Sequence, residues 1–185
     1  FKIVLLYLCV GQTGLQTTVQ VVFAIPFILF SGFAGELADK YSKTWIMRLC
    51  KGWEVVAMVL AYWVLVGSSG VDKTTLTYRM LPLLFFMGMQ SACFGPAKLG
   101  AVRRIVRPDE VTLASQVFQA LTVLGIITGS VVGGVLLAVY PDALHVPFGW
   151  QIGIAVIGTA TAFGIVSLRP EDPDRVIDWS WRKPV

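Results

Sequence analysis

The sequence predicts an all-α, polytopic membrane helix bundle of about five and a half spans, and three observations carry that prediction. Its 185 residues are 56% hydrophobic and 14% charged, with a mean hydropathy of +0.73. A soluble domain holds about 45–50% apolar and roughly 25% charged residues, so the balance is shifted toward lipid. The apolar residues also fall into runs near the ~20 residues that a helix needs to cross a ~30 Å hydrocarbon core. Between those runs the basic residues gather in short clusters on alternate sides. That pattern belongs to membrane topology and not to a nucleic-acid-binding face, despite a formal charge of +4. Low charge and an aromatic content of 12% exclude disorder.

Helices are predicted near residues 1–11, 15–34, 44–66, 80–97, 111–139 and 148–168, together a half-bundle over 1–168. The first run is too short to span. Phe1 is no initiator residue, so this run reads as the back half of a truncated first helix within a longer chain. Gly11-Gln12-Thr13-Gly14 separates it from the next run, and polar clusters bound each of the others. Residues 169–185 are polar with three prolines and form an expected extended cytoplasmic tail, where Trp179 and Trp181 offer anchors to the interface or to a partner.

One side of the bundle collects Lys40, Lys43, Arg48 and Lys51, then Lys98, Arg103, Arg104 and Arg107, then the basic residues of the tail. The other side has only Lys73 and Arg79. The positive-inside rule places 35–43, 98–110 and the tail in the cytoplasm and 67–79 outside, in a cytoplasmic (inner) membrane. Trp45, Trp63, Trp150, Tyr62, Tyr78 and Tyr140 lie near predicted span ends, as an aromatic belt would. The three cysteines are odd in number, widely spaced and without metal-site spacing, and read as small apolar filler. The one histidine, His145, cannot make a ligand cluster. No enzyme signature, metal site or cofactor is expected.

Two stretches carry a family resemblance. After the 15–34 run comes a predicted loop, Gly35-Glu36-Leu37-Ala38-Asp39-Lys40-Tyr41-Ser42-Lys43. Gly35 would let two helices approach closely, and Asp39 would pair with its basic neighbours or cap the following helix. The stretch resembles the signature of the major facilitator superfamily between its second and third helices, Gly-x-Leu-Ala-Asp-Arg/Lys-x-Gly-Arg/Lys. The second stretch is Phe94-Gly95-Pro96-Ala97-Lys98-Leu99-Gly100, followed by Leu113-Ala114-Ser115 and a ladder of Gly125, Gly129, Gly133 and Gly134. It is similar to the lysophospholipid-transporter branch of that superfamily. The resemblance implies the amino-terminal six-helix half of a twelve-helix transporter. It also implies Gly35, Asp39, Lys40 and Lys43 as a conformational motif, with Gly125, Gly129 and Gly133 as a helix-packing stripe. The implied partners are membrane lipids and a second six-helix half or other membrane subunits, with no nucleic acid.

An ionisable group at membrane depth costs about 2.5–3.5 kcal/mol on insertion scales and so asks for a reason. Lys98 and Glu54 are the main candidates, with Lys2 beside them at the first residues of the chain. The family lysine that matches Lys98 is implicated in substrate handling, while snorkelling to headgroups is the plainer alternative. Glu54 is expected in a buried pair with a basic residue. Gln90, Gln116 and Gln119 are expected to face neighbouring helices or a wet cavity, because lipid would leave their amides unpaired. Lys98, Glu54, Gln90, Gln116 and Gln119 are thus the substrate-cavity candidates. Gln119 stands where the family tends to have Glu, and Leu99 where it tends to have Tyr. Two functions follow. One is a transporter half handling lysophospholipid or a similar amphiphile. The other is a transport-inactive half repurposed as an accessory subunit of a larger membrane complex.

Overall fold

The structure is a computed structural model, and it describes residues 1–68, 70–168 and 170. The expected tail, with Trp179 and Trp181, lies outside the described residues, Pro170 apart. Among the described residues there are six helices: α1 (Lys2–Leu8), α2 (Thr13–Lys40), α3 (Lys43–Val66), α4 (Lys73–Ile105), α5 (Val111–Val139) and α6 (His145–Phe163). Five of them, α2 to α6, are long and apolar enough to cross a membrane.

Local chemistry sets the boundaries. Gly11 takes φ +87°, a left-handed conformation that suits glycine, and the chain turns there from α1 into α2. Ser42 caps α3 by accepting from the Trp45 N–H at 3.4 Å. Asp72 caps α4 more fully, accepting from both the N–H and the hydroxyl of Thr75 at 2.9 Å. These hydrogen bonds hold the Asp72 carboxyl below its ordinary range.

Two expected loops are helical instead. The 15–34 run continues to Lys40, which puts Gly35–Lys40 in the last turns of α2 and leaves Tyr41 and Ser42 as the link. Likewise α4 runs from Lys73 to Ile105, well beyond 80–97 at both ends. Its 33 residues are ~50 Å long at ~1.5 Å per residue, more than the ~30 Å core requires. A helix satisfies its own backbone whatever its side chains are, so polar residues mark the edge of the lipid and not the end of the helix. The cap of α3 is Ser42, which leaves Asp39 the other role offered by the sequence, pairing with a basic neighbour.

The core has two parts. One joins Val4, Leu5 and Leu8 of α1 to Val19, Ala61, Met80, Leu84, Leu137 and Phe148. The other, toward the opposite ends of the helices, joins Ala38 of α2 to Ile46, Met47 and Cys50 of α3 and to Ala97 and Ala101 of α4. Helix α4 is central, packed on α2 and α3, while α3 also carries α6. The α2–α4 contact is closest at Gly88, where a Cβ would lie 2.7 Å from the carbonyl oxygen of Phe23 and 3.1 Å from Pro26.

A clasp joins α3 to the end of α6. The Arg48 guanidinium donates to the carbonyls of Ala162, Phe163 and Ile165 at 3.3, 3.1 and 2.8 Å. These carbonyls stand at and just beyond the C-terminus of α6, where a cation is favoured. The segment beyond is fixed by Thr44, which donates to Val166 O at 2.9 Å, and by Ser42, which donates to Leu168 O at 2.6 Å.

Candidate functional site

Of the charged residues singled out in the sequence, Glu54 and Lys98 share a neighbour in Lys51: Glu54 pairs with it, and Lys98 lies within its electrostatic reach. Glu54 lies eleven residues into α3, ~17 Å from its start at ~1.5 Å per residue, and so near the middle of the span. Its carboxylate pairs with Lys51 Nζ at 2.7 Å, one turn earlier, and both side chains are only about a quarter exposed (26% and 23%). The expected pair of Glu54 with a basic residue is therefore present, and its partner is on the same helix. The Lys51 stem passes Gly158 of α6, its ammonium lies 5.3 Å from the centre of the Phe94 ring, and its carbonyl accepts from Thr159. In the sequence Lys51 belongs to the basic edge cluster with Lys40, Lys43 and Arg48, and its i, i+3 spacing to Glu54 is the signal that could have shown the pair.

Lys98 projects from α4 toward α5. Its ammonium donates to the Thr122 hydroxyl at 2.8 Å and stands 5.2 Å from the centre of the Phe118 ring. The hydroxyl in turn donates to Phe118 O at 2.8 Å, which fixes its orientation. Lys51 is near enough to repel Lys98. Among the described residues Lys98 has no carboxylate partner. The neighbourhood therefore offers an acceptor, two aromatic faces, an internal ion pair and one ammonium not matched by an acid.

The glutamines do not join it. Gln90 lines a separate apolar groove of about 360 Å³ with Trp53 and Phe86, and its amide reaches only Ser91, at 3.4 Å. Gln116 and Gln119 are exposed on α5, Gln119 one turn from Thr122. Lys2 lies over the Phe23 ring of α2 at 5.0 Å.

The two signature stretches do meet. Gly35, Asp39 and Lys43 share a cleft of about 740 Å³ with Gly95, Pro96 and Leu99 of α4. Lys40 is not among its lining residues. Lys43 is 3% exposed, and its stem lies so close to Gly100 that a Cβ there would be 2.4 Å from Lys43 Cε. At Gly35 a Cβ would meet nothing within 4 Å among the described residues. The expected close approach at Gly35 is thus corrected: the cleft separates α2 from α4 at that level, and the tight positions are Gly88 and Gly100.

The glycine stripe of α5 needs the same correction. A Cβ at Gly125 or Gly129 would meet nothing within 4 Å among the described residues, and one at Gly133 would touch only Ile3, at 3.8 Å. Leu137 is the one buried residue of α5. The spacing makes a smooth face, but among the described residues nothing lies against it at Gly125 and Gly129. Among the described residues no group of His, Cys, Asp and Glu could hold a metal ion.

Comparison with known proteins gives the family. The sequence pattern of the Major Facilitator Superfamily matches residues 7–179. The chain is 27% identical over 150 residues to the lysophospholipid transporter LplT of Photorhabdus laumondii, a match covering 81% of this chain and 32% of that one. It is 28% identical over 167 residues to the protein of that name from Cronobacter sakazakii, covering 90% and 37%. For Pectobacterium carotovorum the match is 29% over 150 residues, covering 81% and 31%. The chain thus spans about a third of the length of these relatives. Their names point to a transporter and not an enzyme, and they lend nothing to the accessory-subunit expectation. No solved structure gives a match. With the signature cleft formed, five helices suited to the bilayer and the pattern matched over nearly all its length, the chain is an integral membrane protein that belongs to the major facilitator superfamily.

Proposed function

We propose that the chain forms a substrate-handling half of a membrane transporter for lysophospholipid or a similar amphiphile. The observation that carries this reading is Lys98, a partly buried ammonium between α4 and α5 that meets Thr122 and Phe118 and has no acid of its own among the described residues. Such a group answers a phosphate oxygen by a charge-assisted hydrogen bond. The neighbouring Phe94 and Phe118 rings suit the apolar part of the same molecule. The transporter names of the relatives support the substrate class.

In this reading the cavity side closes against a second six-helix bundle, and Gly35, Asp39, Lys40 and Lys43 belong to the moving cytoplasmic end. The ends that carry Lys43 and Arg104 face the cytoplasm, in keeping with the excess of basic residues there. The test is lysophospholipid flipping in liposomes holding the full-length protein. Protein-dependent flipping that falls at least tenfold in Lys98→Ala is the expected result. Flipping at the wild-type rate in that variant refutes the role of Lys98, and none above empty vesicles refutes the function.

A further inference from the structure

We infer that the exposed face of α3 seats one phospholipid of the bilayer, its phosphodiester against Arg48 and one acyl chain in the apolar groove between α2, α3 and α4. The seat is separate from Lys98 and does not rest on the transporter reading above.

Two cavities meet at Trp45. The first, of about 440 Å³, is lined by Tyr41, Ser42, Trp45, Arg48 and Ser167, at the end of α3 that Ser42 caps. Arg48 is the one charged residue in that lining, with no acid to match it. Its Nε and Nη2 are held by the carbonyls of Ala162, Phe163 and Ile165, which fixes the guanidinium, while Nη1 has no partner among the described residues. A fixed guanidinium with an unused edge answers a phosphate oxygen by charge-assisted hydrogen bonds. The exposed Ser167 hydroxyl in the same lining is a second donor. Tyr41 and Trp45 stand 6.1 Å apart and are both exposed, as rings at the headgroup level are.

The second cavity is the groove of about 360 Å³, which Trp45 also lines. Trp45, Leu49 and Trp53 form one stripe of α3, four residues apart, and Phe86, Met89 and Cys93 of α4 face the same groove. From Trp45 to Trp53 is ~12 Å at ~1.5 Å per residue, within the ~15 Å of one leaflet of a ~30 Å core. Among the described residues no charged side chain lines it. It suits a hydrocarbon chain, whereas a peptide backbone would find too few hydrogen-bonding partners there. A phosphate seat at the membrane surface that runs on into a groove of leaflet depth fits a single molecule, a phospholipid.

The test titrates full-length protein, stripped of lipid in detergent, with dioleoylphosphatidylglycerol, and native mass spectrometry counts the bound copies. One copy is expected to bind at least tenfold more tightly than those that follow. Dioleoylglycerol keeps the chains and glycerophosphoglycerol keeps the phosphodiester, and neither should show such a first copy. Arg48→Met removes the guanidinium and Cys93→Phe fills the groove, so each should bring the first copy down to the affinity of the rest. Each variant is first checked for unchanged helical circular dichroism and a monodisperse profile, and Leu49→Trp, at the exposed lip of the groove, replaces Cys93→Phe if that variant does not fold. In wild-type protein, phosphatidylglycerol with a diazirine in one acyl chain should crosslink to groove residues such as Trp53 and Met89, which tests the seat without any substitution. The absence of a tight first copy, its retention in either folded variant, or crosslinks confined to other helices would overturn the seat.

Discussion

Gly88 and Gly129 sit in the middle of long apolar helices, and alanine at each should have opposite effects. A Cβ at Gly88 would lie 2.7 Å from the Phe23 carbonyl oxygen and 3.1 Å from Pro26 Cγ, while at Gly129 nothing lies within 4 Å among the described residues. Neither obstacle at Gly88 can swing away, because one is backbone and the other a proline ring inside α2. Relief requires α2 and α4 to separate along their most extensive contact. Overpacking of this kind costs about 1–3 kcal/mol. Both substitutions gain the same helix propensity, up to ~1 kcal/mol per glycine replaced. The difference between the two variants therefore isolates the clash. At ~2–4 °C per kcal/mol for a chain of this size, Gly88→Ala should melt about 2–12 °C below Gly129→Ala. Thermal unfolding in one detergent, followed by circular dichroism, makes the comparison. Equal melting temperatures would refute the close approach of α2 and α4, and a Gly129→Ala variant falling as far as Gly88→Ala would refute the open face of α5.

Three further outcomes follow from the packing. Arg48→Met keeps the stem but removes the guanidinium from the carbonyls at the end of α6, so maleimide labelling of a cysteine placed at Ser167 in a cysteine-free background should quicken about tenfold; an unchanged rate would show that Ser42 and Thr44 hold the segment alone. The Asp72 cap should be sensitive to acid. Its carboxyl is held below the ordinary value of 3.8 by Thr75, so its contribution is complete above that value and fades as pH falls through the lowered one. The melting temperature of Asp72→Asn should therefore sit below wild type at neutral pH and converge on it in strong acid, and a gap that widens in acid would reverse the sign of the argument. Cysteines placed at the exposed Arg107 and Asp142 should label from opposite sides of sealed cells, Arg107 from the cytoplasm, and labelling of both from outside would refute the orientation.

The bundle was legible because hydrocarbon imposes a length on every apolar run. Helix α5 appears at 111–139 as expected, since Asp109 and Glu110 precede it and Pro141 follows it, so the edge of the lipid and the end of the helix coincide. They part company in α2 and α4. There Glu36, Asp39, Arg103 and Arg104 continue a helix that has already left the apolar layer, and no proline or left-handed glycine interrupts the last turns. Hydropathy reports solvent, whereas the backbone stops only when its hydrogen bonding is broken or capped. The short α1 shows the same rule from the other side: its end was set by Gly11, not by a change of polarity.

The site was half legible for a related reason. Glu54 and Lys98 stood out because each is a lone charge within an apolar run. Lys51 lies beside Arg48, in what reads as one basic edge cluster, yet the two point to different tasks: Arg48 to the carbonyls ending α6, Lys51 to Glu54. Residues three apart on a helix are neighbours, so their common sign concealed only one thing, the acid three residues further on that Lys51 alone can reach. The glycines teach the converse. A regular ladder on α5 announces a smooth face without saying what lies on it, while the single Gly88 meets an obstacle that no periodicity predicts. Its partner is Pro26, 62 residues away, and only the pairing of α2 with α4 brings the two into contact. Spacing along a helix therefore identifies which residues share a face, and the three-dimensional register decides which of those faces has to be glycine.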